Sequence, residues 1–436
     1  MSKRITILAA AAAVAVGLVV LLASQRAPES EGSLLAGPVM PGLADRLNDV
    51  TSIRIVQAGD QPVLTLARTA GGWTVAERDG YPANAGKIRT ALLNLAESKV
   101  VEAKTANPER YAQLGVEDVD GETAAGVRIE LAGAGMEPAA LIVGNYAGQQ
   151  GEGTYVRRPG EAQSLMAAGN LVPERQVGDW LRRELTDIAS SRIQQVELVE
   201  NDGRPLRIFK ASADDANFQV ADVPRGRTLQ SEVVANGLAS TLSGLTLDDV
   251  ARADADAQVP ADATRHRAAY TLFDGVVVTL DGHQAPADAD GNAGLAHVTI
   301  AATLDRERAL ARIAADIAAE QAAAQADADA AAAAAPAGAD AAPATAPGET
   351  DAAEAPTAPA AGVAATGAEG DAASPAAAVP AAAIDVEART AERLAALQAD
   401  VDEINARLGG WRFQIPAFKY ATIDKTIDDL LQPLED

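Results

Sequence analysis

One order of elements is written twice in this chain, and that repetition constrains the fold more than any other feature. From Asp49 to Ala103, "VTSIRIV" and "VLTLART" alternate apolar and polar residues around the turn "AGDQ", and "GGWTVAE" supplies a third strand. "DGYPAN" reads as a turn in which Pro82 fixes φ. Asn84 is then placed as an N-cap, and Ile88, Ala91, Leu92 and Leu95 share one helical face before "KVVEAK" returns to strand. From Asp187 to Ala253 the order recurs. "SRIQQVELV" and "LRIFKAS" flank the turn "ENDGRP", and "NFQVADV" puts Phe218 in the slot of Trp73. "SEVVANGLASTLSGL" predicts a helix with Val233, Val234, Leu238, Leu242 and Leu245 on one face, and "TLDDVARA" closes the unit. Self-similarity at this length points to duplication.

Each copy has a second half. "GVRIELAG", "AALIVGNY", "GTYVRRPG" and "AQSLMAA" read as four strands in the first copy; "AAYTLFDG", "VVVTLDGH" and "AHVTIAATL" give three in the second. The missing fourth is "GWRFQIPAFK" from Gly410, near the end of the chain, followed by a closing helix with Ile423, Ile427, Leu430 and Leu431 on one side. Trp73, Tyr81 and Pro82 in the first copy, with Trp411 and Pro416 at the end, form a recurring structural motif in which a Trp strand packs before a proline turn. That likeness reads as shared packing grammar or as a third repeat.

The last strand is displaced by an alanine-rich tract, residues 320–383, dotted with Pro and Gly. Its residues bury too little to offset the entropy of ordering, which predicts disorder. Twelve acidic residues and no basic one fall between Ile313 and Ala388. The flanks differ. "LDRERALARIAADIAAEQ" is helical with Leu310, Ile313 and Ile317 on one side, and "EARTAERLAALQADVDEINARLGG" carries Leu394, Leu397, Val401, Ile404 and Leu408 at heptad-like spacing, with Gly409 as a stop. That stripe either docks on the chain's own elements or faces a partner helix.

At the amino terminus, Lys3 and Arg4 precede an uncharged run from Ile5 to Ala23. Its nineteen residues span roughly 28 Å as a helix, close to the hydrocarbon thickness of a bilayer. The flanking charges orient it with the bulk of the chain outside the cytoplasm. A cleaved signal peptide is the rival, although the run exceeds the usual apolar region and Leu21 and Leu22 suit cleavage poorly. The expected fold is α+β: cytoplasmic stub and transmembrane anchor (1–26), stalk (27–44), a first mostly antiparallel sheet unit with a packed helix (45–183), a related second unit (184–319 and 384–436), and the insertion (320–383).

The net charge of −25 argues against nucleic acid as a partner, since phosphate binding needs clustered Lys and Arg. With no cysteine there is no disulfide, thiolate metal site or cysteine nucleophile. "GYPANAGKI" departs from a phosphate loop in glycine spacing and places Ile88 where Ser or Thr should hold magnesium. His266, His283 and His297 lack metal-binding spacing. Asp288, Asp290 and Asn292 lack the pattern of a calcium hand, and Arg157 and Arg158 in "YVRRPG" alternate across a strand. Trp73, Trp180 and Trp411 read as core anchors. No catalytic, cofactor-binding or metal-ligating residue is assigned.

Several stretches together, "DVTSIRI", "GGWTVAERDGYPANAGKIRTALLNL", "TYVRRPG", "WLRRELTDI", "LFDGVVVTL" and "GGWRFQIPAFKYATIDKTIDDLL", resemble the bacterial family catalogued as domain of unknown function 4340. The likeness runs from Asp49 to the end, except for the insertion. It implies an envelope protein; some members are encoded beside, or fused to, gliding-type auxiliary components of ABC transporters, and that association implies a partner complex rather than a reaction. The expectation is a single-pass inner-membrane protein held by residues 5–23. Its periplasmic body acts as a non-enzymatic interaction module with protein partners in the envelope. A periplasmic glycan- or peptidoglycan-binding module is the alternative. A hydrolase would need a carboxylate pair or His-centred cluster in one pocket.

Overall fold

The computed structural model describes residues 37–148, 153–201, 203–253, 259, 263–286, 294–334 and 385–433. The expected anchor, most of the stalk, residues 335–383 of the insertion and the Asp288–Asp290–Asn292 loop lie outside them. Among the described residues, no helix is long and apolar enough to cross a membrane.

The fold is α+β with mostly antiparallel pairing, built on two large sheets. The first contains β1 (Val50–Gln57), β2 (Gln61–Thr69), β3 (Gly72–Val75), β4 (Tyr81–Pro82), β5 (Val100–Ala103), β6 (Val127–Gly133), β7 (Ala139–Tyr146), β8 (Gly153–Arg157) and β9 (Ser164–Ala168), in the spatial order 4-3-2-1-6-7-8-9-5. A short ladder joins β10 (Glu184–Thr186) to β14 (Leu245–Thr246). The second sheet contains β11 (Ile193–Glu200), β12 (Leu206–Phe209), β13 (Gln219–Val220), β15 (Asp249–Arg252), β16 (Arg265–Leu272), β17 (Val276–Gln284), β18 (Ala296–Leu304) and β19 (Trp411–Ile415), ordered 13-12-11-16-17-18-19-15. From β3 across to β5 the two orders correspond strand for strand. β19 therefore holds the place of β9, not that of β3, so the second Gly-Gly-Trp shares packing grammar with the first without sharing its position.

By contact density the chain divides into two compact units. One runs through Leu272 and includes Val278–Ala302 and everything from Ile404 onward, so it holds both sheets; the other is Phe273–Val277 with Thr303–Glu403.

Helix α1 (Ala85–Glu97) begins where expected. The Asn84 side chain accepts a hydrogen bond from the Lys87 N–H at 3.0 Å, filling one of the four orphan donors of the first turn. Ile88, Leu92, Leu95 and Ala96 are buried on one face, which covers Ile53, Ile55 and Ile129 of the first sheet around a small apolar cleft of about 190 Å³. Each such large side chain contributes about 1.5–3 kcal/mol by leaving water. A single turn, α2 (Tyr111–Leu114), follows.

Three expectations of helix and disorder are corrected. The helix expected over Ser231–Leu245 is a 3-10 segment, Val234–Ser240, followed by a turn into β14. Gly237 and Gly244 weaken a helix there, and Asn236 turns its Oδ1 to the Phe218 N–H instead. Leu238, Leu242 and Leu245 still reach the core, while Val233 is exposed. The second sheet thus lacks the packed helix of the first at this point.

The insertion is helical at its start: α3 runs from Arg306 to Ala334, through residues expected to be disordered. Alanine has the highest helix propensity, and no Gly or Pro interrupts the sequence until Pro336. Among the described side chains of this helix, only Ala309, Ile313 and Ile317 are buried, and Leu310 is exposed. The expected closing helix is also broken. After α4 (Val386–Leu408) and β19 come a single turn, α5 (Ala417–Tyr420), and a separate 3-10 turn, Ile427–Leu430. Thr426 and Asp429 cap that turn reciprocally and so force a new start.

Candidate functional site

The Trp-turn motif meets itself in space. Asp79 and Gly80 both adopt positive φ, +52° and +76°, and reverse the chain between Arg78 and Tyr81. Tyr81 then stands edge-on to Trp411, with ring centroids 5.0 Å apart at 87°, and edge-on to Phe413 at 6.2 Å. Its hydroxyl donates to the Arg182 carbonyl at 3.3 Å. Burial pushes the Tyr81 phenol up to about 12, with Arg182 and Arg407 opposing. The Arg252 guanidinium lies over the Trp411 ring, 3.9 Å from its centroid.

Beside this stack, Arg78 grips Asp249 of β15 in bidentate fashion, Nε to Oδ1 at 2.6 Å and Nη2 to Oδ2 at 2.7 Å. That hydrogen bonding holds the Arg78 guanidinium above its ordinary value. Burial raises the Asp249 carboxyl, but the hydrogen bonds from Arg78 and from the Val250 N–H, with the charge of Arg78, leave it below the usual carboxylate range. These residues form a joint between the two sheets. Trp73 lies apart, half-buried, its carbonyl accepting from the Ala83 N–H at 2.8 Å. Pro82 pairs with Thr74 in the sheet, and Pro416 precedes α5. Trp180 is buried with its indole N–H on the Glu174 carbonyl.

Of the two arginines of "YVRRPG", Arg157 is buried and Arg158 half-buried, and both are engaged by their own chain. Buried Arg157 donates to the Val116 and Glu161 carbonyls, lies 2.7 Å from Asp118 and stacks over Tyr111; Arg158 reaches the Val39 and Pro38 carbonyls. They build the core rather than a clamp.

The histidines gather on the second sheet. His283 and His297, on β17 and β18, stack with ring centroids 5.4 Å apart in an open groove of about 740 Å³ that Arg265 and Arg412 also line. Burial lowers both imidazoles. Arg412 and Arg265 add to this for His283; His283 and Arg412 add to it for His297, with Asp249 opposing. His266 lines both this groove and the neighbouring hollow, its ring edge-on to Tyr420 at 5.7 Å. Among the described residues, no group of three or more His, Cys, Asp or Glu is placed to hold a metal ion.

The stripe on α4 divides. Val401 and Leu408 are buried, which removes them from a partner-facing surface, while Leu394, Leu397 and Ile404 are half-buried. Around the end of α4, Asn405 exchanges two 2.8 Å hydrogen bonds with the backbone of Ala302, and Arg407 donates to the Leu185 carbonyl. Within the helical unit, Glu320 of α3 pairs with Arg389 at 2.8 Å and Arg393 at 2.5 Å. Beyond Glu320, residues 321–331 are exposed on every face.

Arg78, Asp249, Tyr420 and Asp424 escaped the sequence reading. Each lies within or beside a stretch read for its strands or helices, where polar residues register as turn or solvent face. The one usable signal was the spacing of Tyr420 and Asp424, one helical turn apart. Residues 73–265 match the family model described as a domain of unknown function, DUF4340. No curated protein and no solved structure matches the chain.

Proposed function

Taking as premise that the chain belongs to the DUF4340 family through residues 73–265, we propose that it is a membrane-tethered, non-enzymatic interaction module of the bacterial envelope. On this reading residues 5–23 hold the chain in the inner membrane and the sheet body stands in the periplasm. The partner is a protein of an ABC-type transport or envelope-assembly complex. The observation that carries the reading is the free length of α3. The far half of α3 continues a helix whose first half is packed, and it is held by alanine's helix propensity without a buried face of its own. The run 321–331 offers only alanine, glutamine and aspartate to solvent. Small side chains let a second helix approach closely, so a partner helix along α3 gives this segment the packing it lacks.

Affinity purification of the full chain from gently solubilised membranes tests the proposal. Stoichiometric recovery of a transporter ATPase with its membrane subunit is the expected result. A strictly monomeric chain after mild crosslinking refutes it. A second reading, a periplasmic glycan-binding module, finds no support in Trp180 or Trp411, which are both buried. It is favoured instead by the polar hollow around His266.

A further inference from the structure

The hollow beside His266 has a volume of about 420 Å³ and is lined by Glu200, Thr264, His266, Gln284, Tyr420 and Asp424. That size lies within the range of small-molecule sites, about 300–1,000 Å³. Two of its atoms are anomalous. Tyr420 is 0% exposed, yet its hydroxyl has no hydrogen-bond partner, and neither does the buried Oδ1 of Asp424. Buried polar atoms are nearly always paired, and an unpaired one is destabilising unless something fills the place.

The fold holds the phenol there with little slack. Tyr420 ends α5, its ring is pinned edge-on against His266, and Gly282 of β17 leaves room for it: a Cβ at 282 would stand 3.0 Å from the ring. Burial, with Asp424 adding, raises the Tyr420 phenol, so it stays protonated. Burial lowers His266 while Asp424 and Glu200 oppose, so the imidazole is neutral at neutral pH. The hollow therefore offers a carboxylate acceptor, a phenol that donates and accepts, and an imidazole with one donor and one acceptor. Gln284 donates one of its two amide N–H groups to the Gly294 carbonyl.

We infer that this hollow binds a hydroxyl-rich ligand, a sugar or related polyol, with one hydroxyl bridging the Tyr420 hydroxyl and Asp424 Oδ1 and the ring edge lying against His266. A hydroxyl fits because it donates to Asp424 while accepting from the phenol. An oxyanion meets two carboxylates, and an ammonium brings donors alone. The site rests on the glycan-binding reading and is independent of the partner reading.

The chain has three histidines, so imidazole-selective NMR of the full chain in detergent resolves the site directly. The probes are N-acetylglucosamine, its β-1,4-linked dimer, glucosamine and sodium chloride at matched ionic strength. Either acetylated sugar should shift His266 more than His283 or His297. Tyr420→Phe and Asp424→Asn should each weaken binding by about tenfold, the scale of one lost hydrogen bond. Because the phenol has no partner in the unliganded protein, Tyr420→Phe should also raise the melting temperature, by about 2 °C or more. Sugar binding that both variants leave intact overturns the site while the glycan reading survives. No response to sugar overturns both. Binding of glucosamine alone overturns the polyol assignment. A lower melting temperature for Tyr420→Phe without any sugar response assigns the hollow to a structural water and overturns the inference.

Discussion

Breaking the Arg78–Asp249 contact should weaken the chain measurably, and the size of the effect follows from its geometry. Two parallel hydrogen bonds of 2.6 and 2.7 Å join groups whose side chains are 28% and 37% exposed. Fully exposed pairs stabilise by about 0.2–1 kcal/mol, whereas hydrogen bonds to charged groups shielded from water reach about 1.5–3 kcal/mol. A half-shielded bidentate pair belongs between these limits, so we expect a coupling free energy of about 1–2 kcal/mol. A double-mutant cycle of Arg78→Met and Asp249→Ala measures it by urea unfolding of the full chain, followed through the fluorescence of buried Trp411 and Trp180. Each single variant should lose at least the whole coupling, because removing one partner ends the pair and strands the other charge. Since the Asp249 carboxyl sits below its ordinary value in the folded chain, its contribution is present above about pH 4, the unfolded range, and fades as the pH falls through that range towards the folded value. A coupling under about 0.3 kcal/mol at pH 7, or one unchanged at pH 3, would refute the reasoning.

Three further outcomes are expected. Because His266, His283 and His297 are all lowered on folding, stability should be full above about pH 6.5 and decline as the pH falls below it; His283→Gln and His297→Gln should flatten the decline measured by thermal unfolding. Asn84→Ala should destabilise by about 1 kcal/mol in urea titration, with Asn84→Asp close to wild type. Leu408→Ala should cost about 2–5 kcal/mol by the same titration, whereas half-buried Leu394→Ala should cost clearly less; equal losses would show that the whole stripe is core.

Strands such as β6, β17 and β18 were legible because period-two alternation is local and their buried residues fall on every second position. The last strand of the second sheet was legible across the insertion because the first copy supplies a template with a vacant slot. The helix expected at Ser231–Leu245 misled because apolar spacing was weighed above Gly237, Gly244 and the turn-forming Asn236. The disorder expected from Glu320 misled for the opposite reason: poverty of large apolar residues was weighed above the propensity of uninterrupted alanine. Of the motif residues, Tyr81 and Trp411 were singled out separately, but nothing in a linear sequence indicates that they touch. The hollow is harder still. His266, Tyr420 and Asp424 are brought together by β16 and a segment some 150 residues later, and an unpaired hydroxyl exists only in three dimensions.

The most direct measurement of the interaction-module account is site-specific photo-crosslinking in native membranes. A photoreactive amino acid replaces Ala323, on the exposed run of α3, or Lys99, on the exposed surface of the sheet body. The account predicts one discrete heavier adduct from position 323, containing a subunit of an ABC-type complex, and none from position 99. Adducts absent at 323, or equal at both positions, would contradict it.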